Sequence, residues 1–147
     1  MPVLDQSISF TSSETAHRIA VIRRLKSLLE EQRDKFGEYL ELLERESQAI
    51  SRRDTAALMG QVEHERRVVQ AIVSFNRIIG PIQEVYLSLY PERNNDIESL
   101  KAAVDRMRDD VVKKNEANRV LLRARMNELK DRVESLKSPI RRAAGLE

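Results

Sequence analysis

Residues 22–50 read IRRLKSLLEEQRDKFGEYLELLERESQAI. Ile22, Leu25, Leu29, Gln32, Phe36, Tyr39, Leu43, Glu46 and Ile50 recur at alternating steps of three and four. That is the repeat of a helix that buries one seam along its length, and no period of two competes with it. Val21, Leu28, Leu40 and Leu42 widen the stripe, so this helix has more than one apolar neighbour. Upstream, Thr11-Ser12-Ser13-Glu14 has the form of a capping box with Thr11 as N-cap and Glu14 reaching back. The spacing predicts a helix over about 14–51, roughly 57 Å long.

Working outward, Arg52-Arg53-Asp54-Thr55 is a tight connection, with Asp54 placed to cap the next helix and two arginines at the negative end of the first. So short a link makes the two helices antiparallel neighbours. Val68, Ile72, Phe75, Ile79, Ile82, Tyr86 and Leu89 carry the seam of a second helix over about 55–90. Its phase passes through Gly80-Pro81, where the lost donor and the crowding of the Arg77 carbonyl predict a kink.

Pro91 to Asn95 is the strongest turn cluster, and Asn95-Asp96-Ile97-Glu98 reads as a second capping box with Asn95 as N-cap. The third helix opens with Ile97, Leu100, Val104, Met107 and Val111. It resumes with Leu122, Met126, Leu129, Val133, Leu136 and Ile140. Asn115 and Asn118 stand at the seam between these stretches and weaken it if they are buried without partners. Ser138-Pro139 is expected to end the helix, giving about 96–137. The expectation is an all-α, elongated, antiparallel three-helix arrangement with coiled-coil-like packing over 14–137. A flexible tail is expected at 1–13 and another at 138–147, where Leu146-Glu147 reads as a vector-derived remnant.

Composition agrees. The chain has 147 residues with 34% charged and only 4% aromatic side chains, four Gly and four Pro, too few turn and β-forming residues for a sandwich or an α/β domain. With no Cys, disulfides, a thiol nucleophile and thiolate metal sites are excluded. Apolar runs are a few residues long, so no membrane insertion is expected. The net charge of +2 hides a polarity. Residues 1–112 hold 16 basic and 19 acidic groups, whereas residues 113–142 hold 10 and 4. The basic third helix reads equally as a solvated face or as a surface for an acidic partner.

Enzyme chemistry finds little support. Carboxylates such as Glu30 with Asp34 and Glu41 with Arg45 sit in the charge mesh of solvated helix faces. His64-Glu65-Arg66-Arg67-Val68 starts like a zinc-protease motif, but Val68 stands where the second histidine belongs, and His17 is isolated. No metal or other cofactor is expected, and the glycines form no phosphate cradle. Nucleic-acid binding is disfavoured because Glu116, Glu128, Asp131 and Glu134 interrupt the basic face and no aromatic is interleaved.

The helices carry more apolar residues than a three-helix core needs. Val69, Val73, Ile78 and Val85 flank the second seam and are expected in the core. The stretch Val120 to Leu136 is expected to form a partner surface on a third helix able to detach near Asn115 and Asn118. The sequence leaves monomer and dimer open, and a hinge at Pro91–Asn95 would allow a homodimer that exchanges the third helix.

Tyr39-Leu40-Glu41-Leu42-Leu43-Glu44-Arg45-Glu46, followed by Ala49-Ile50-Ser51-Arg52-Arg53-Asp54 and Ala57-Leu58, resembles the first helical turn-around of FlgN-type flagellar export chaperones. Asn115-Glu116-Ala117-Asn118-Arg119-Val120-Leu121-Leu122 resembles their late asparagine and leucine signature. Ile79-Gly80-Pro81-Ile82-Gln83-Glu84-Val85-Tyr86 looks like the spirochaete-type branch. The resemblance covers about residues 22–137. It implies a cytoplasmic, all-α chaperone without enzymatic activity that binds flagellar hook-associated proteins. Such a chaperone keeps its clients from assembling early and delivers them to the cytoplasmic domain of the type III export gate. It further implies client binding through Val120, Leu121, Leu122, Met126, Leu129, Val133 and Leu136, with Arg119, Arg123 and Arg125 steering an acidic client segment. The family docks on the gate through a C-terminal tyrosine. This chain has no Tyr after Tyr90, so that residue stays unassigned. A self-associating structural coiled coil is the alternative.

Overall fold

A computed structural model describes residues 10–145, with residues 138 and 140 described by their backbone alone. The expected tail residues 1–9 and the Leu146-Glu147 pair lie outside the described residues. Among the described residues the fold is all-α, with three helices in chain order: α1 (Ser12–Arg52), α2 (Thr55–Leu89) and α3 (Asn95–Ala143). α2 runs antiparallel to the other two. α1 and α3 run the same way, as pairs from Arg18 with Glu92 at one end to Arg53 with Glu128 at the other require.

The caps follow from local chemistry. The Glu14 N–H donates to Thr11 Oγ1 at 3.1 Å, and the Thr11 N–H returns a bond to the Glu14 carboxylate at 3.3 Å, which completes the predicted capping box. The Ala57 N–H donates to Asp54 Oδ1 at 3.0 Å, so Asp54 caps α2 as its position implied. Between them Arg53 closes α1 in the left-handed conformation, with φ of 58°, and its N–H donates to the Ile50 carbonyl.

The start of α3 differs from the sequence reading by one residue. Asn94, not Asn95, is the N-cap, since its Oδ1 accepts from the Ile97 N–H at 3.1 Å. Glu98 does not fold back onto the cap. Instead the Tyr86 hydroxyl accepts from the Asn94 N–H at 2.9 Å and donates to Glu98 Oε1 at 2.7 Å. A side chain from α2 thus takes the place of the expected box at the start of α3 and locks the α2–α3 corner.

The end of α3 also differs. The helix continues through Ser138-Pro139 to Ala143, rather than stopping at residue 137. Pro139 removes one backbone donor close to a helix end, where the freed carbonyl faces water, so the penalty is small. α2 likewise stays helical across Pro81.

The core lies along α1. In one cluster Leu25, Leu28 and Leu29 of α1 meet Ile79 and Tyr86 of α2 and Ile97 and Leu100 of α3. In the other, Phe36, Tyr39, Leu42 and Leu43 meet Val68, Ile72, Val104 and Val111. Gln32 separates the two. It is buried at a seam position and donates to Asn76 Oδ1 at 2.6 Å. α1 packs closely against both neighbours, whereas no Cα of α2 lies within 8 Å of one in α3. That spacing corrects the placement of Val73, Ile78 and Val85, which are exposed, and of Val69, which is half-buried. Among the described residues no third wall comes close enough to cover them.

Candidate functional site

The seam of α3 is buried through Val104, Val111 and Asn118 and then opens. Leu122, Met126, Leu129, Val133 and Leu136 continue the same steps of three and four, within roughly 40° of one face. They are all exposed, Leu129 at 63% and Leu136 at 66%. The cause is length. Glu128 is level with Arg53, the residue that ends α1, so the fifteen residues Leu129–Ala143 project past the α1–α2 turn by roughly 22 Å. A face built for a seam thus loses the two helices that would cover it.

Where the bundle ends, a crevice of about 300 Å³ opens between α3 and the α1–α2 turn. Ile50, Leu58, Leu122, Met126 and Leu129 give it apolar walls, and Arg53, Arg125, Glu128 and Arg132 form its charged rim. Glu128 accepts from both Arg53 and Arg125, at 3.0 and 2.9 Å, and its carboxyl is held below the ordinary range by Arg125 first and then by Arg53. Arg125 also reaches the Ser51 carbonyl at 3.4 Å, where a cation suits the negative end of α1. Its Nε is shielded from solvent and has no acceptor among the described residues. Arg132 makes no ion pair among the described residues.

The structure brings together part of the set named from sequence. Leu122, Met126, Leu129, Val133 and Leu136 share a face, but Val120 is two residues from Leu122 and points to the opposite side, and Leu121 is half-buried. Of the three arginines, Arg125 lines the crevice, and Arg119 and Arg123 do not. Ile50, Leu58, Arg53 and Arg132 are the residues that sequence reasoning missed. Nothing local to 50–58 says that α3 passes there.

Nor does α3 detach where its seam turns polar. Asn118 is buried and donates through Nδ2 to the Leu43 carbonyl at 2.9 Å, and Asn115 donates to the Tyr39 hydroxyl at 3.1 Å. Lys114 pairs with Glu44 at 2.6 Å beside them. The expectation of a loose third helix is therefore corrected: both amides have partners on α1. Below the crevice, Glu46 of α1 and Glu65 of α2 face each other, and burial together with the Glu65 charge pushes Glu46 up to about 6.

Elsewhere the charged groups form surface pairs. His64 Nε2 lies 2.9 Å from Glu38 Oε1, and Arg66 reaches Glu63 at 2.7 Å. Among the described residues no group of three or more His, Cys, Asp or Glu is placed to hold a metal ion, and no helix is long and apolar enough to cross a membrane.

The chain is similar to a protein of Treponema pallidum (strain Nichols) described as an uncharacterized protein, at 29% identity over 128 residues that span 87% of this chain and 82% of the relative. No family model and no solved structure matches it.

Proposed function

We propose that this chain is a cytoplasmic, non-enzymatic export chaperone of the flagellar type III kind. It holds an amphipathic helix of a hook-associated protein until delivery to the export gate. The observation that carries this reading is the open seam of α3. A helix patterned for burial runs on for four turns without a partner among the described residues and adjoins an apolar crevice. A client that polymerises through amphipathic terminal helices exposes a matching stripe as a monomer, and covering it needs neither nucleotide nor metal. The FlgN-type resemblance, which runs through the α1–α2 turn and the Asn115–Leu122 stretch that border this crevice, supplies the flagellar context. Burying a few exposed leucines on each side supplies several kcal/mol, at about 1.5–3 kcal/mol per side chain before ordering costs, which suits reversible capture.

The test is co-expression with hook–filament junction proteins. One should co-purify with the chain at one-to-one stoichiometry, and Leu122→Asp or Leu129→Asp should abolish capture while helicity is kept. Retention of the client by both variants would remove α3 from the binding surface. Failure of every junction protein to co-purify, with a dimer in sedimentation that Leu129→Asp dissolves, would favour the self-associating coiled coil instead.

A further inference from the structure

The crevice has a direction. Its inner end is stopped by the packed bundle, and its outer end opens along the projecting seam of α3. A helix that covers Leu136, Val133 and Leu129 and continues inward must therefore end beside Ile50 and Leu58. The groups around that end are cationic. Arg53 and Arg125 share one carboxylate, Glu128, Arg132 makes no ion pair among the described residues, and one guanidinium nitrogen of Arg125 has no acceptor there either. Helix ends are not equivalent. The C-terminal end carries unpaired carbonyls, the negative end of the dipole and, at a chain terminus, a carboxylate.

We propose that the crevice receives the C-terminal end of an acidic amphipathic helix lying antiparallel to α3 along the projecting seam, with its terminal carboxylate against Arg125 and Arg132. The statement deepens the chaperone reading and rests on it for the identity of the partner. The partner's charge follows from the crevice wall and the projecting arm of α3 taken together. Residues 121–143 hold seven basic and three acidic groups, a net charge of +4. Two such segments repel, which sets a second copy of this chain against an acidic helix as occupant. Glutamates flanking the partner's apolar stripe meet Arg132, Lys130 and Arg123 with no competing ion pair among the described residues.

Orientation is tested with synthetic peptides and the full chain, by fluorescence anisotropy of an N-terminal label at two salt concentrations. The first probe is a 21-residue monomeric helix with leucines at its seam, glutamates on both flanks and a free C-terminal carboxylate. The second is the same peptide with a C-terminal amide, and the third carries lysines in place of the glutamates. The free acid should bind at least fivefold tighter than the amide, and the lysine peptide at least tenfold weaker than either. Added salt should narrow both gaps. Arg132→Glu, a change at an exposed residue, should erase the acid–amide difference, and Leu129→Asp should abolish binding of all three. Equal affinity for acid and amide would overturn the assigned direction, and equal affinity for the lysine peptide the assigned charge. A chain that dimerises through Leu129 in sedimentation would overturn the occupant. Expected peptide behaviour without capture of any hook-junction protein would uphold this inference and overturn the chaperone reading. Client capture without peptide discrimination would do the reverse.

Discussion

The side-chain amide of Asn118 donates to the main-chain carbonyl of Leu43 across 2.9 Å, in a site closed to solvent. Asn118 sits where the apolar seam of α3 is interrupted, so this bond fixes the register of α3 on α1 just before the helix leaves the bundle. Asn118→Ala should lower the unfolding free energy by about 1–2 kcal/mol through the lost bond and the small void. Urea denaturation with unchanged starting helicity checks it. No change would mean that α3 is not held there.

Glu46 gives the fold a pH dependence of definite sign. Burial, and then the charge of Glu65, raise its pKa from 4.5 to about 6 in the folded chain. The folded state keeps a proton that the unfolded chain releases earlier, so this contribution is complete below about 4.5 and is lost as pH rises through about 6. Melting temperature should therefore fall between pH 5 and pH 7.5, and Glu46→Gln should raise it at pH 7.5 and flatten that limb. Glu38, lowered by its bond to His64, and Glu44, lowered by Lys114, work oppositely, so stability should decline again below about pH 4.5. A thermal series with and without the substitution separates the limbs.

Gly60 stands inside α2, and a Cβ added there meets nothing within 4 Å beyond its chain neighbours. Gly60→Ala should stabilise the chain by about 0.5–1 kcal/mol, because only the backbone entropy of the unfolded state changes. Gly80→Ala should gain less, since a Cβ on the residue before Pro81 crowds the proline Cδ in a helical backbone. Equal gains for the two variants in chemical denaturation would mean that the backbone at Pro81 relaxes without cost.

Seam residues on the two sides of the bundle's end should respond differently. Leu43 is fully buried, and Leu43→Ala should cost about 2–5 kcal/mol. Leu129 and Leu136 have the same spacing but no cover, so Leu129→Asp and Leu136→Asp should change stability by less than about 0.5 kcal/mol. Melting curves of the three variants decide it. A large loss for Leu136→Asp would mean that the projecting segment is covered in solution.

Tyr86 is fully buried, and its hydroxyl links Asn94 and Glu98. Tyr86→Phe keeps the ring and removes both bonds, leaving the cap N–H of α3 unmet. A loss of about 1–3 kcal/mol in urea denaturation is expected. A smaller loss would mean that water replaces the hydroxyl at that corner.

Much of this architecture is legible in the chain itself. The three seams, the Thr11–Glu14 box and the Asp54 cap are local patterns, readable because their partners lie within a turn or two. What was not legible is non-local. Asn94, Asn95 and Asp96 are three capping residues in a row, and Tyr86, eight residues upstream of Asn94, decides among them. Asn115 and Asn118 read as weak points because their partners, Tyr39 and Leu43, lie more than seventy positions away. The separation of α2 from α3, which exposes Val73 and Val85, depends on interaxial distance, and a heptad pattern does not encode that. The apolar run from Leu122 to Leu136 was visible. The crevice beside it was not, because Ile50, Arg53 and Leu58 join it only once the α1–α2 turn is set against α3.

Away from the Tyr86 corner, the backbones of α2 and α3 approach α1 and not one another. A pull on the projecting arm of α3 therefore loads the Asn118 and Asn115 bonds to α1, and the spine behind them, before it reaches the outer flank of α2. The fold thus hangs its two outer surfaces on different sides of one shared post and ties them directly at the end remote from the arm.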